Sequence, residues 1–191
     1  MQIDRVLYSI STLGPGNRLV IWTIGCSKHC YKCANPELWQ KNPNKDIDVL
    51  RLLEIIREAV DNQIIDGVTL TGGDPLEQIT ELNELLPHLG KITGDVLVYT
   101  GYTVEEAKAA IPESEWEAVR KHTSVLIDGA YIDDLNDNKC VLRGSSNQNI
   151  IYIDETKKEL YSSYMKKGRT VQNVFINQKM ISVGIHNRDL Q

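Results

Sequence analysis

The order of apolar segments along this 191-residue chain predicts an α/β fold with a mainly parallel sheet, either open or curved into part of a barrel. Two observations carry the prediction. Short runs rich in Val, Ile and Leu alternate with longer segments whose apolar residues recur at helical spacing, and each short run ends in a glycine with small or polar neighbours. Parallel neighbours need a crossover between them, and the helical segments supply it.

Taken in order, residues 19–24 (LVIWTI) form the first strand, with Trp22 in its apolar alternation and read as core. Residues 47–62 are helical, because Val49, Leu53, Ile56 and Val60 share a face; Asp46 or Asp48 caps that helix. Residues 67–71 (GVTLT) are a strand, and 76–89 a helix interrupted near its end by Pro87. Residues 95–100 (DVLVYT) are a strand; 104–110 and 113–122 are helices separated by Pro112; 124–128 (SVLID) is another strand. The tail supplies a helix over 155–167 and a hairpin of 171–176 with 180–185 across residues 177–179.

Composition bounds the function. A chain of this length forms one domain that buries about 70 % of its unfolded surface. A net charge of −5 argues against a primary nucleic-acid binder. No apolar run approaches the length of a membrane helix, and the opening MQIDRVLYSI lacks a basic leader region. Four cysteines in this setting do not read as a disulfide framework. The expectation is a cytoplasmic protein with reduced thiols and with no nucleic-acid or membrane partner.

Three of those cysteines, Cys26, Cys30 and Cys33, are spaced Cys-x3-Cys-x2-Cys directly after the first strand. Three soft thiolates in one loop can grip a metal centre, yet they are one short of the four that close a zinc site or an electron-transfer cluster. A four-iron cubane held this way keeps one iron open for chemistry. From spacing alone, an iron–sulfur cluster, a zinc site completed by His29 or Cys140, and unligated thiols are all admitted, in that order of preference.

The strand ends point the same way. Gly25-Cys26, Thr71-Gly72-Gly73-Asp74, Thr100-Gly101-Tyr102-Thr103 and Asp128-Gly129 all fall at the carboxyl ends of strands, the active-site face of parallel α/β folds. In Thr71-Gly72-Gly73-Asp74-Pro75 two glycines allow close backbone approach to a ligand, and Asp74 offers an acceptor. Trp39 and Trp116 read as packing residues, His88, His122 and His186 as isolated, and Cys140 as a free thiol. Arg143, ahead of the small polar loop 144–147, is a positive group that could face a cofactor or a partner.

With GPGNRLVIWTIGC (14–26), CANPELW (33–39), TLTGGDPL (69–76), VYTGYT (98–103), VLIDG (125–129) and LRGSSNQ (142–148), the chain resembles the radical S-adenosylmethionine superfamily. Within it, the resemblance is to the activating proteins of anaerobic (class III) ribonucleotide reductase. That resemblance implies a partial β/α barrel, a [4Fe-4S] cluster, and an oxidoreductase that cleaves S-adenosyl-L-methionine reductively to a 5′-deoxyadenosyl radical. It implies a larger glycyl radical enzyme as partner, the anaerobic reductase, and an electron donor such as flavodoxin or ferredoxin. Residue by residue, it assigns three irons to Cys26, Cys30 and Cys33 and nucleoside contacts to Lys32, Cys33 and Ala34. It gives the methionine amine to Gly72, Gly73 and Asp74, and lining positions to Gly101 and Asp128. Two positions depart from the pattern: Lys32 stands where many members have an aromatic residue, and Leu13 where the branch has an acid.

The resemblance covers residues 14–150, so the chain divides into a barrel domain, 1–151, and an extension, 152–191, packed on it. Lys157, Lys158, Lys166, Lys167 and Arg169 make the extension locally basic, a solvated face or a docking surface for the partner. Two other functions stay open on sequence: a radical enzyme acting directly on a peptide or small molecule, and a non-catalytic iron–sulfur or zinc module.

Overall fold

The computed structural model describes residues 1–61, 63–176 and 178–188. Its main sheet has six strands: β1 (Ile3–Ile10), β2 (Arg18–Thr23), β3 (Gly67–Gly72), β4 (Val96–Tyr99), β5 (Val125–Asp128) and β6 (Asn149–Tyr152), adjacent in that order. The β2–β3, β3–β4 and β4–β5 pairs are parallel, while β1 and β6 join the two edges antiparallel. The crossovers carry the helices α1 (Val49–Val60), α2 (Ile79–Ile92), α3 (Val104–Ala110) and α4 (Glu113–His122). A fifth helix, α5 (Lys158–Met165), and a separate hairpin of β7 (Val171–Ile176) and β8 (Lys179–Gly184) make up the extension.

Period-two alternation splits the sheet into two faces. Leu19, Ile21, Val68, Leu70, Val96, Val98 and Leu126 pack on the buried stripes of α1, α2 and α4. Their neighbours in sequence point the other way, where Val20 and Trp22 meet Val183 of the hairpin, and Leu97, Val125 and Ile127 meet Tyr161 and Tyr164 of α5. The extension therefore covers the face that the helices leave bare.

That inner face also holds a buried ion pair. Arg18 is fully buried and places all its donors: Nε on Thr69 Oγ1 (2.7 Å), Nη1 on Asp95 Oδ2 (2.8 Å) and on Pro15 O, Nη2 on the carbonyls of Val68 and Asp95. Tyr161 donates to the other Asp95 oxygen (2.8 Å), and Tyr164 to the carbonyl of Ser11. A side chain at Gly14 or Gly67 would run into the Arg18 guanidinium, which explains both glycines. Because Arg18 opens β2 and Asp95 precedes β4, this network closes the amino-terminal end of the strands, opposite the cysteine loop.

Most expected elements stand within a few residues, and Asp48 is the cap, accepting from the backbone N–H groups of Leu50 and Arg51. Three readings need correction. The antiparallel edges β1 and β6 are additional to the predicted strands. Pro87 does not interrupt α2, which runs through to Ile92: the proline removes one donor to the carbonyl of Asn83, but Leu82, Leu85, Leu86 and Leu89 are all fully buried along the same helix. The predicted helix 155–167 opens as a 3-10 turn, Glu155–Lys157, before α5. Asn62, expected to end α1, and Asn177, expected in the hairpin turn, lie outside the described residues.

Candidate functional site

The cysteine loop leaves β2 through Gly25, whose φ of +100° directs the chain sharply across the strand ends. His29 (φ 44°) and Lys32 (φ 53°) are also left-handed, so the loop curls tightly and turns its three thiols toward one cavity. The return is pinned by Gly25 N to Leu38 O (2.8 Å) and Cys26 N to Trp39 O (3.0 Å). From the other side, Glu77 accepts from Ser27 N and from the Tyr102 hydroxyl, and Lys28 pairs with Glu106 at 2.8 Å while lying over the Tyr102 ring.

One cavity gathers what the sequence scatters. Cys26, Cys30 and Cys33 share its lining with Lys32, Ala34, Gly72, Gly73, Gly101 and Gly129, so the turns after four parallel strands converge on the cysteine loop. Two predicted residues stand behind the lining. Asp74 is fully buried, and its carboxylate accepts from Leu76 N, Thr100 Oγ1 and Gly101 N. It fastens the β3 turn to the β4 turn, and burial raises its pKa to about 6. Asp128 accepts from Val104 N at the start of α3 and from Asn149 of β6, and so fixes structure around the site.

The two glycines of the Gly-Gly-Asp turn are also explained differently. Both line the cavity, but a side chain on Gly72 would meet the backbone of Thr23 (2.6 Å to its oxygen), and one on Gly73 would meet the carbonyl and amide of Gly25 (2.9 Å to its C and N). The absent Cβ atoms let β3 pack against the root of the cysteine loop. Gly73 N donates to Thr23 O and Asp74 N to Gly25 O, each 2.8 Å, locking that contact.

The donor set suits a cluster held by three thiolates. The Cys33 sulfur accepts the backbone N–H of Asn35 (3.4 Å). Burial raises Cys26 to about 11 and moves Cys30 the same way, so metal must displace protons to bind there. Neither candidate for a fourth ligand lines the cavity. His29 stacks on Trp39 with ring centroids 4.9 Å apart, and Cys140 is buried with its thiol on Asp137. Among the described residues no three of His, Cys, Asp and Glu close around a single ion, whereas tetrahedral zinc would draw its sulfurs to about 3.8 Å of one another.

Several residues at the site carry no sequence signal. Arg5, from the missed strand β1, lies over Trp22 at 4.8 Å and reaches Asn35. Residues 182–186 of the hairpin and its continuation complete the lining, including His186, which reads as isolated in sequence. Of the basic extension, α5 sits at the amino-terminal end of the strands, whereas Arg169 donates to the carbonyls of Cys140 and of His186, which lines the cavity. Arg143 donates to Gln148 O and orders the 144–148 loop.

A family model described as a 4Fe-4S single cluster domain matches residues 12–151. Among curated proteins, the anaerobic ribonucleoside-triphosphate reductase-activating protein of Pasteurella multocida is 35 % identical over 145 residues, covering 73 % of this chain and 89 % of its own. The protein of the same description from Escherichia coli K12 is 32 % identical over 148 residues, covering 73 % and 91 %. That of Enterobacteria phage T4 is 30 % identical over 154 residues, covering 78 % and 93 %. Among the described residues no helix is long and apolar enough to cross a membrane.

Proposed function

Because the chain belongs to the family of anaerobic ribonucleoside-triphosphate reductase-activating proteins and carries their 4Fe-4S domain, we propose that it generates a glycyl radical on an anaerobic ribonucleotide reductase, using S-adenosylmethionine. The observation that carries this reading is the set of three thiols, with no fourth ligand beside them among the described residues, lining one cavity with the Gly72–Gly73 turn. When bound, the cluster and S-adenosylmethionine supply the electron and the carbon-centred radical. Cys26, Cys30 and Cys33 hold the cluster. Gly72 and Gly73 present their backbone to the methionine end, Lys32 and Ala34 flank the nucleoside, and Gly101 narrows the floor. Asp74 and Asp128 act through the turns they fasten.

Curvature into a partial barrel is part of the same reading. Arg5 on β1 and Gly129 after β5 line one cavity although three strands lie between them, as a sheet wrapped around its inner face would arrange. The reductant is a cytoplasmic flavodoxin or ferredoxin, and the glycine-bearing loop of the reductase enters at the strand carboxyl ends.

Anaerobic incubation of the reconstituted protein with S-adenosylmethionine, a reductant and the large reductase subunit tests the proposal by electron paramagnetic resonance. A doublet on the partner's glycine is expected. Turnover of a peptide or metabolite with no such signal would replace the activase by an enzyme acting directly on its substrate.

A further inference from the structure

The matched segment ends at residue 151, yet the cavity does not. Ser182, Val183, Gly184, Ile185 and His186 line the space that Cys26, Cys30 and Cys33 line, so a stretch outside the cluster domain forms one side of it. Two arginines hold that stretch. Arg169, before the hairpin, donates to the carbonyls of Cys140 and His186 (2.8 and 2.9 Å) and of Arg143 and Gly144 (both 3.3 Å). Arg188, just beyond the lining, donates to Asp133 and Asp134 (2.9 and 2.8 Å). Within the stretch, Thr12 Oγ1 donates to Val183 O, and His186 Nε2 meets Ser182 Oγ at 2.8 Å.

Asp133 connects this wall to the cluster loop. Its side chain is only 5 % exposed, and besides Arg188 it takes Lys32 Nζ (3.3 Å) and the Tyr131 hydroxyl (2.9 Å). Lys32 adjoins Cys33, and Tyr131 lines the same cavity as Cys30. One buried carboxylate thus ties the residue beside Cys33 and a second lining residue to the last described turn of the extension. A shielded carboxylate between two cations is a stronger clasp than an exposed pair. The arm of Arg188 on Asp134, which is 89 % exposed, adds little.

We infer that residues 182–188 are a wall of the cofactor site, and that Arg188 and Asp133 are positioning residues that hold it closed against the cysteine loop. Hairpin and wall differ in how firmly they are fixed. Val183 is core, packed with Val20 and Trp22, whereas residues 185–187 are irregular chain held at their ends by Arg169 and Arg188. Loosening the outer clasp opens the cavity beside Lys32 without unpacking the hairpin. The inference deepens the activase reading by placing a gate where a partner loop would enter, but its test needs no partner.

The rate at which a ferrous chelator extracts iron from the reconstituted full-length protein, and the rate of iodoacetamide labelling of Cys26, Cys30 and Cys33 in the cluster-free protein, both read access to the site. Arg188→Ala is expected to raise both about fivefold, leave labelling of Cys140 and the melting temperature unchanged, and be rescued by Arg188→Lys. Asp133→Asn, which weakens both arms of the clasp, is expected to raise them further. Rates within twofold of the parent in both variants would overturn the inference. If the rates respond but no glycyl radical forms on a reductase, the wall stands and the activase reading falls. If the radical forms and the rates do not respond, the wall falls alone.

Discussion

Replacing Gly73 by Ala tests whether the Gly-Gly-Asp turn is built for packing against the cysteine loop. The new Cβ would lie 2.9 Å from the carbonyl carbon and amide nitrogen of Gly25, where ordinary contact begins at 3.4 Å, so one backbone must yield by about half an ångström or more. Gly25 has little freedom to yield, since its N–H is on Leu38 O and its oxygen on Asp74 N. Overpacking of this kind costs about 1–3 kcal/mol, and losing the Asp74 N–Gly25 O bond adds about 1 kcal/mol. The expected penalty is about 3 kcal/mol, which for a domain of this size lowers the melting temperature by about 6–12 °C. Gly25 immediately precedes Cys26, so the displacement should also reduce iron content on reconstitution. Thermal melts of the cluster-free protein, paired with iron and sulfide analysis, read both effects. Gly90→Ala is the control, because its Cβ would meet nothing within 4 Å on the exposed side of α2. A Gly73→Ala protein that melts within 1 °C of the parent and binds full iron would refute the packing argument.

Further outcomes follow from the same geometry. Gly90→Ala itself should stabilise by about 0.4–1 kcal/mol, seen as a higher melting temperature. Cys30→Ala should abolish the cluster absorbance while Cys140→Ala preserves it, since the Cys140 thiol is turned to Asp137; iron analysis after anaerobic reconstitution decides. Asp95→Ala should cost about 3–5 kcal/mol in urea unfolding by orphaning a fully buried guanidinium and the Tyr161 hydroxyl. Asp74, held at about 6 by burial against an ordinary 3.8, contributes stability that is fully present below 3.8 and lost as pH rises through 6. Unfolding of the cluster-free parent should therefore lose, between pH 4 and pH 7, on the order of 3 kcal/mol more than that of Asp74→Asn; equal pH profiles would contradict it.

The chain's own pattern settled much of this molecule. Alternation of β-branched runs with helical stripes fixed the parallel centre of the sheet, because burial on both faces leaves an apolar run and burial on one leaves a period. The Cys-x3-Cys-x2-Cys spacing marked the loop proposed to hold the cluster, since three thiols in eight residues are local and need no tertiary partner to be recognised. What the pattern could not carry is long-range. Asp74 and Asp128 read as ligands in sequence, and only the folded chain shows their carboxylates capped by Gly101 and Val104. Pro87 reads as a helix end until the buried leucines beside it are seen to continue the helix. The glycines of the turn are required by the backbone of β2 and of Gly25 just beyond it, some fifty residues away in sequence. Above all, the tail has no local signature of a site. Its residues enter the cavity because the helices cover one face of the sheet and leave the other for α5 and the hairpin, and because Arg169 and Arg188 find their acceptors in loops that the sequence places far from them. A site assembled from turns at strand ends is legible in sequence to the extent that each turn is punctuated; the wall that closes it is decided by packing alone.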